Sequence, residues 1–266
     1  MEVVILGTIQ DAGIPHIDCS CSNCTNPDLN KRLVASIAIK AETQTYMIDC
    51  TPDFSTQLAM LDITTEELDG MFISHLHMGH YFGLAYLGRE AASSKKLSIY
   101  TTIANHNFFR ENKPFKYLID RGEIDPVYTK FNEPLLLDKN TTITLFEVPH
   151  RNEDGNTAGF LIEGDKSLLY IPDMDDYTNE IIQRIGDVDI ALIDGSFYTK
   201  NEIMRQRNVP HPPIVESLEL LRDFETRIIF THFNHSNPVL NLDSSEFQKI
   251  KSLGFEVAFE GMTISI

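Results

Sequence analysis

Apolar and polar positions along the 266 residues fall mostly into short strand-like runs, most of them closed by Gly, Pro, Asp or His. The first runs from Met1 to Thr8. Leu33 to Lys40 and Thr45 to Cys50 predict two strands joined by a polar turn, which bring Asp49 to a strand end. Pro52 opens Asp53 to Leu61, whose apolar residues keep helical spacing. Gly70 to Ser74 predicts a strand, Gly83 to Ala92 a helix that buries Leu84 and Leu87, Leu97 to Tyr100 a strand, and Thr102 to Glu111 a helix. His106 on that helix reads as structural or exposed. Residues 112 to 134, broken by Pro114, Gly122, Pro126 and Pro134, predict a loop excursion or a cap over a site.

The second half opens with strands at Leu135 to Leu137, Thr142 to Val148, Gly159 to Ile162 and Ser167 to Ile171. It continues with helices at Thr178 to Ile185, Pro213 to Arg222 and Ser244 to Lys251, between which lie strands at Asp189 to Asp194 and Arg227 to Thr231. Two β-rich blocks, each followed by helices, predict two sheets packed face to face with helices outside. The expectation is one domain over residues 1 to 266, made of halves near 1–134 and 135–266. No short repeat or low-complexity tract is present.

Candidate chemistry lies where these strands end. The strand at residues 70 to 74 runs into His75-Leu-His77-Met-Gly79-His80. In extended chain His75 and His77 project to one side, and a helix opening near Gly79 would turn His80 towards the same point. Further on, His150, Asp173 and His232 each follow an apolar strand within two residues. One such ending is weak; three of them after a three-histidine loop point to a metal centre.

Three of the four cysteines form Cys19-Ser-Cys21-Ser-Asn-Cys24, a spacing suited to thiolate ligands of zinc in a reducing compartment. Structural zinc takes four ligands, with His16 and His235 as candidates for the last. Cys50 reads as a small buried residue.

Composition narrows the functions. A net charge of -17 argues against nucleic-acid and anionic-membrane partners, which need clustered Lys and Arg. The N-terminus lacks a basic segment ahead of its apolar run, and no run approaches the roughly 18 residues that span a bilayer. The expectation is a cytoplasmic protein acting on a small molecule, with a homodimer left open.

The histidine loop resembles the H-x-H-x-D-H signature of the metallo-β-lactamase-fold superfamily, with Gly79 where that family has aspartate. The resemblance implies an αββα sandwich. It also implies one metal on His75, His77 and His150 and a second on His80 and His232, with Asp173 bridging. Asp49 has a parallel as a carboxylate that accepts the N–H of a ligand histidine, beside its plainer reading as a turn or cap residue. With Gly79 the second ion lacks one anionic ligand, and Gly79→Asp is expected to tighten it. Gly7-Thr8, the cysteine cluster and Thr231-His232-Phe-Asn-His235 are similar to phosphoribosyl cyclic phosphodiesterases, which implies a structural zinc on Cys19, Cys21, Cys24 and His235. Val209-Pro-His211-Pro-Pro-Ile214 and the stretch from Phe233 to Pro238 look still more like coenzyme PQQ synthesis protein B.

These features predict a metallo-hydrolase of a phosphodiester or related small ester, working with a metal-activated water. Asp173 would hold that water, and His211 would contact substrate or protonate the leaving group. The active site is expected to take one or two divalent ions, Zn or Mn, with Fe as the further option. Two alternatives stay open: an iron-dependent redox enzyme like the protein B group, and a metal-stabilised binding protein with a degraded site.

Overall fold

The computed structural model describes residues 1–27, 31–151, 155–205 and 210–266. Fourteen strands among them form two seven-stranded sheets. In the first sheet the order is β14 (Thr263–Ser265), β1 (Glu2–Gly7), β2 (Ser36–Lys40), β3 (Thr45–Ile48), β4 (Gly70–Phe72), β5 (Leu97–Thr101) and β6 (Ile124–Tyr128). In the second it is β13 (Glu256–Val257), β12 (Arg227–Thr231), β11 (Ile190–Asp194), β10 (Ser167–Ile171), β9 (Ala158–Glu163), β8 (Thr142–Glu147) and β7 (Pro134–Leu136). Strands β3 to β6 run parallel, as do β10 to β13.

Alternation along the strands builds the layers. Leu168, Tyr170 and Leu192 point between the sheets, where they meet Val3, Ile37, Ile39 and Phe72 from the other sheet. Their neighbours Leu169, Ile171, Ala191 and Ile193 face outward and pack under α6 (Asn179–Gly186), α8 (Ile214–Leu221) and α9 (Ser245–Ser252) through Ile181, Ile185, Leu218 and Ile250. On the far side Met47, Met71 and Ile99 lie under α2 (Phe54–Met60), α4 (Ile103–Glu111) and α5 (Phe115–Asp120) through Phe54, Phe109 and Phe115. Strands apolar on both faces are what a sheet buried on both faces requires. The result is the expected αββα sandwich.

Two expectations need correction, and two strands were not foreseen. Residues 112–134 are not an excursion or cap: they hold α5, β6 and the start of β7. Pro126 and Pro134 sit in the outermost strands of their sheets, where a missing N–H costs little, so the prolines mimic loop punctuation. Gly83 to Ala92 is a 3-10 segment, Phe82–Leu87, followed by turns. A Cβ at Gly83 would lie 2.1 Å from the Thr51 carbonyl oxygen, so this close approach of backbones requires glycine. Strands β13 and β14 are two and three residues long, too short for periodicity to reveal. Among the described residues no helix is long and apolar enough to cross a membrane.

Candidate metal centres

Most residues of the histidine and aspartate centre leave strand ends on one edge of the sandwich, at the carboxyl ends of the parallel strands, where open α/β sheets place their sites. Asp49 follows β3, His75 follows β4, Asp173 follows β10, Asp194 ends β11, His232 follows β12, and His150 lies three residues after β8. Two of these carry backbone in the left-handed region: Asp49 at φ +69° and His232 at φ +59°. Non-glycine residues pay for that conformation, and such strain concentrates at functional sites.

The imidazole nitrogens converge. His77 Nδ1 lies 3.0 Å from His75 Nε2 and 3.1 Å from His150 Nε2. Asp173 Oδ2 is 3.2 Å from His150 Nε2, 3.5 Å from His75 Nε2 and 3.8 Å from His77 Nδ1. Beside this group His80 Nε2 and His232 Nε2 stand 3.3 Å apart, with Asp173 Oδ2 3.9 Å from the latter. A tetrahedral ion bonded at about 2.0–2.1 Å separates its ligand atoms by roughly 3.3 Å, so both groups fit an ion. The second oxygen, Asp173 Oδ1, is buried with no hydrogen-bond partner and has the His211 ring 3.3 Å away, so the carboxylate sits among groups that a cation at Oδ2 would complete. The structure therefore brings together all six residues expected at the centre, with Asp173 common to both groups.

The rings are aimed from behind. His80 Nδ1 donates to Asp49 Oδ2 at 2.7 Å, which leaves Nε2 for the metal position. Asp49 also takes the Ser74 backbone N–H at 2.8 Å and its hydroxyl at 2.9 Å, and that hydroxyl lies 2.9 Å from His75 Nδ1. His150 Nδ1 donates to Asp175 Oδ1 at 2.8 Å, and His232 Nδ1 lies 3.2 Å from Ser196 Oγ. Such partners fix the tautomer and orientation of a ligand histidine. Burial, with the neighbouring His80 ring, holds His75 well below the ordinary histidine range, and burial also lowers His150 and His232; neutral rings are the form that binds metal. Burial would raise the Asp173 carboxyl, yet the His211 and His232 rings hold it well below the usual carboxylate range.

His211 forms a third feature. Its Nδ1 donates to Asp194 Oδ2 at 2.7 Å and lies 3.3 Å from Asp173 Oδ1. Its Nε2 faces Arg151 Nη2 at 3.4 Å and the Gln10 amide nitrogen at 3.5 Å. Burial pulls the imidazolium down, but the Asp194 and Asp173 carboxylates outweigh it and push it up to about 9. His211, Asp173, Arg151 and Gln10 line a cleft of about 830 Å³ that Asp11, His77 and Gly79 also border.

At the cysteine cluster, His235 Nδ1 lies 3.4 Å from Cys19 Sγ, 3.5 Å from Cys21 Sγ and 3.6 Å from Cys24 Sγ. With Zn–S near 2.3 Å and Zn–N near 2.0–2.1 Å a tetrahedral site separates sulfur from nitrogen by about 3.5 Å, so this donor set fits zinc. His16 stacks on the His235 ring with centroids 4.3 Å apart; of the two candidates for fourth ligand, His235 is the one within the cluster. Asn23 ties the cluster to the C-terminal segment by donating to the His235 and Asn237 carbonyls, each at 3.0 Å.

Asp175, Asp194, Ser74 and Ser196 were not among the residues expected here. Asp194 carried the same strand-end signal as Asp173; the serines carry none. Cys50 is buried, its thiol pushed well up by burial, and His106 bonds its exposed neighbour Asn107. The expectation for Gly79→Asp meets no room: a Cβ there would lie 2.7 Å from the Asp11 Cα and 3.1 Å from its carbonyl oxygen.

Fold and site together define a protein of the metallo-β-lactamase type, two sheets with a histidine and aspartate centre at one edge. The chain belongs to the family described as the beta-lactamase superfamily domain, which matches residues 44–233. It is 27% identical to coenzyme PQQ synthesis protein B of Methylorubrum extorquens, with both chains covered in full. The zinc-bound PqqB structure from Methylobacterium extorquens superposes with a TM-score of 0.90 at 25% identity over the whole of both chains. A diphosphatase of the PhnP family shares the fold at a TM-score of 0.78 and 19% identity, covering 99% of this chain and 96% of that one. The protein B group is thus among its relatives, and the PhnP-family diphosphatase shares its fold. Of the Val209 to Ile214 stretch that carried part of that resemblance, Val209 lies outside the described residues. The donor groups and the zinc-bound relative support binding of divalent metal.

Proposed function

We propose that the protein is a metal-dependent hydrolase of a phosphodiester or related small ester. The observation that carries this reading is the sharing of Asp173 between two histidine groups, with the His211–Asp194 pair beside them. His75, His77, His150 and Asp173 would hold one ion, and His80, His232 and Asp173 the other; bound there, divalent ions lower the pKa of a water and neutralise the developing oxyanion. Asp173 orients that water. Arg151 offers a cation to an anionic substrate at the cleft. His211, whose Nδ1–H is held by Asp194, would give an Nε2 proton to the leaving oxygen once Arg151 and Gln10, which face that nitrogen, turn to the substrate. Zinc or manganese is the expected metal at this centre, and Cys19, Cys21, Cys24 and His235 would hold a separate structural zinc.

The similarity to coenzyme PQQ synthesis protein B favours one further reading, a redox enzyme holding iron on the same histidines and carboxylate. Metal analysis of the purified protein, joined to a screen of cyclic and linear phosphodiesters, separates the two. Zinc or manganese with release of a phosphomonoester supports hydrolysis. Iron with oxygen consumption and no ester cleavage overturns it.

A further inference from the structure

Position 79 lacks the carboxylate that the superfamily signature places beside His80, and the structure holds another one close by. The place a side chain at residue 79 would take is filled by the backbone of residue 11, 2.7 Å from the position of a Cβ. Residue 11 is itself an aspartate, held at φ +42° in a turn that closes with the Gly13 N–H on the Gln10 carbonyl at 3.0 Å. That turn is anchored beside the second histidine group: the Gln10 N–H donates to the Phe233 carbonyl at 3.0 Å, one residue beyond His232. Asp11 borders the same cleft as His77, Gly79 and Asp173, and its negative charge acts on the His80 ring. Among the described residues its carboxylate makes no hydrogen bond and no ion pair. It is exposed and is not one of the groups whose donor atoms lie within 4.8 Å of one another, so it is no direct member of either donor set.

We propose that Asp11 supplies, through a bound water, the carboxylate that Gly79 withholds from the ion at His80 and His232. The glycine and the aspartate are then one arrangement. A small residue at 79 lets the residue 10–13 turn come close, and that turn returns an anionic group from a distant part of the chain. Water held between Asp11 and the ion is oriented by a carboxylate outside the coordination shell, in a position open to the cleft. The proposal rests on the two-ion reading above.

Calorimetric titration with Mn²⁺ tests it on protein stripped of active-site metal by a mild chelator with the cysteine-bound zinc retained. Wild type is expected to take Mn²⁺ in a tighter and a weaker step. Asp11→Asn, which tolerates the same backbone conformation, is expected to weaken the weaker step by roughly 10- to 100-fold, the usual cost of removing a partner outside the shell, and to leave the tighter step within about twofold. The double variant Asp11→Gly, Gly79→Asp, in which glycine frees the turn to withdraw, should recover the weaker step. An Asp11→Asn protein that takes both ions as wild type does overturns the proposal alone. A variant in which both steps weaken alike also overturns it, because the effect is then one of general charge. A wild type that takes a single Mn²⁺ at saturation overturns the two-ion reading and this proposal with it.

Discussion

Asp49 and His80 are both fully buried, and the Asp49 carboxylate receives the His80 Nδ1–H at 2.7 Å. The same carboxylate receives two bonds from Ser74, whose hydroxyl touches His75, so one aspartate sets rings from both histidine groups. Asp49→Asn keeps the shape but offers an N–H or a weaker acceptor to His80 and disfavours the tautomer with Nε2 free. Metal affinity at the centre is expected to fall by about 10- to 100-fold. Metal titration checks this, with circular dichroism to show that the variant is folded; unchanged affinity would reduce Asp49 to a turn residue.

The cysteine site joins residues more than two hundred positions apart, Cys19 to Cys24 with His235, so closing it is linked to folding. If the site holds the proposed zinc, Cys21→Ser should release one zinc per chain and lower the melting temperature by about 2–4 °C for each kcal/mol lost in a domain of this size. Zinc analysis and a thermal melt read both. A variant with wild-type zinc content and stability would refute the assignment.

His211 gives the pH dependence. Its folded value is raised from the ordinary 6.5 to about 9, so in the metal-free protein its contribution to stability is fully present below pH 6.5 and is lost as pH rises through about 9. The shift is on the order of 3 kcal/mol at about 1.4 kcal/mol per unit. The difference in unfolding free energy between wild type and His211→Gln should therefore shrink between those pH values. Bound cations beside Asp173 compete for its charge, so the alkaline limb of activity is expected below pH 9. A difference that stays constant with pH would show that His211 is not the charged partner of Asp194.

Much of this centre was legible because four of its six ligands are polar residues that follow apolar strands, and strands of one sheet end on one edge. His75, His150, Asp173 and His232 could be read that way. Helix starts were legible for a similar local reason: Thr102, Thr178 and Ser244 each cap the N–H groups of the turn that follows. What the chain did not disclose depends on approach from elsewhere. Ser196 touches His232 only because β11 and β12 lie side by side, and the backbone of Asp11 meets Gly79 through a turn far from it in sequence. The left-handed backbone at Asp49 and His232 is likewise imposed by packing, since neither residue type demands it.

At Gly79 signature and geometry pull in opposite directions. By signature, an aspartate there would complete the second metal group; by geometry, it must displace the residue 10–13 turn, because its Cβ would press on the backbone of Asp11 and no rotation of a flexible side chain can relieve that. Overpacking of this kind typically costs about 1–3 kcal/mol. Gly79→Ala isolates the steric part: it should destabilise the protein by that amount while adding no ligand. Gly79→Asp should be destabilised at least as much and should not bind the second ion more tightly than wild type, since moving the turn takes Asp11 away as the new carboxylate arrives. Denaturant melts of the metal-free proteins, with metal titration of the same samples, check both parts. An aspartate variant as stable as wild type with a tighter second ion would mean that the turn yields freely and that the closeness of residues 11 and 79 carries no constraint.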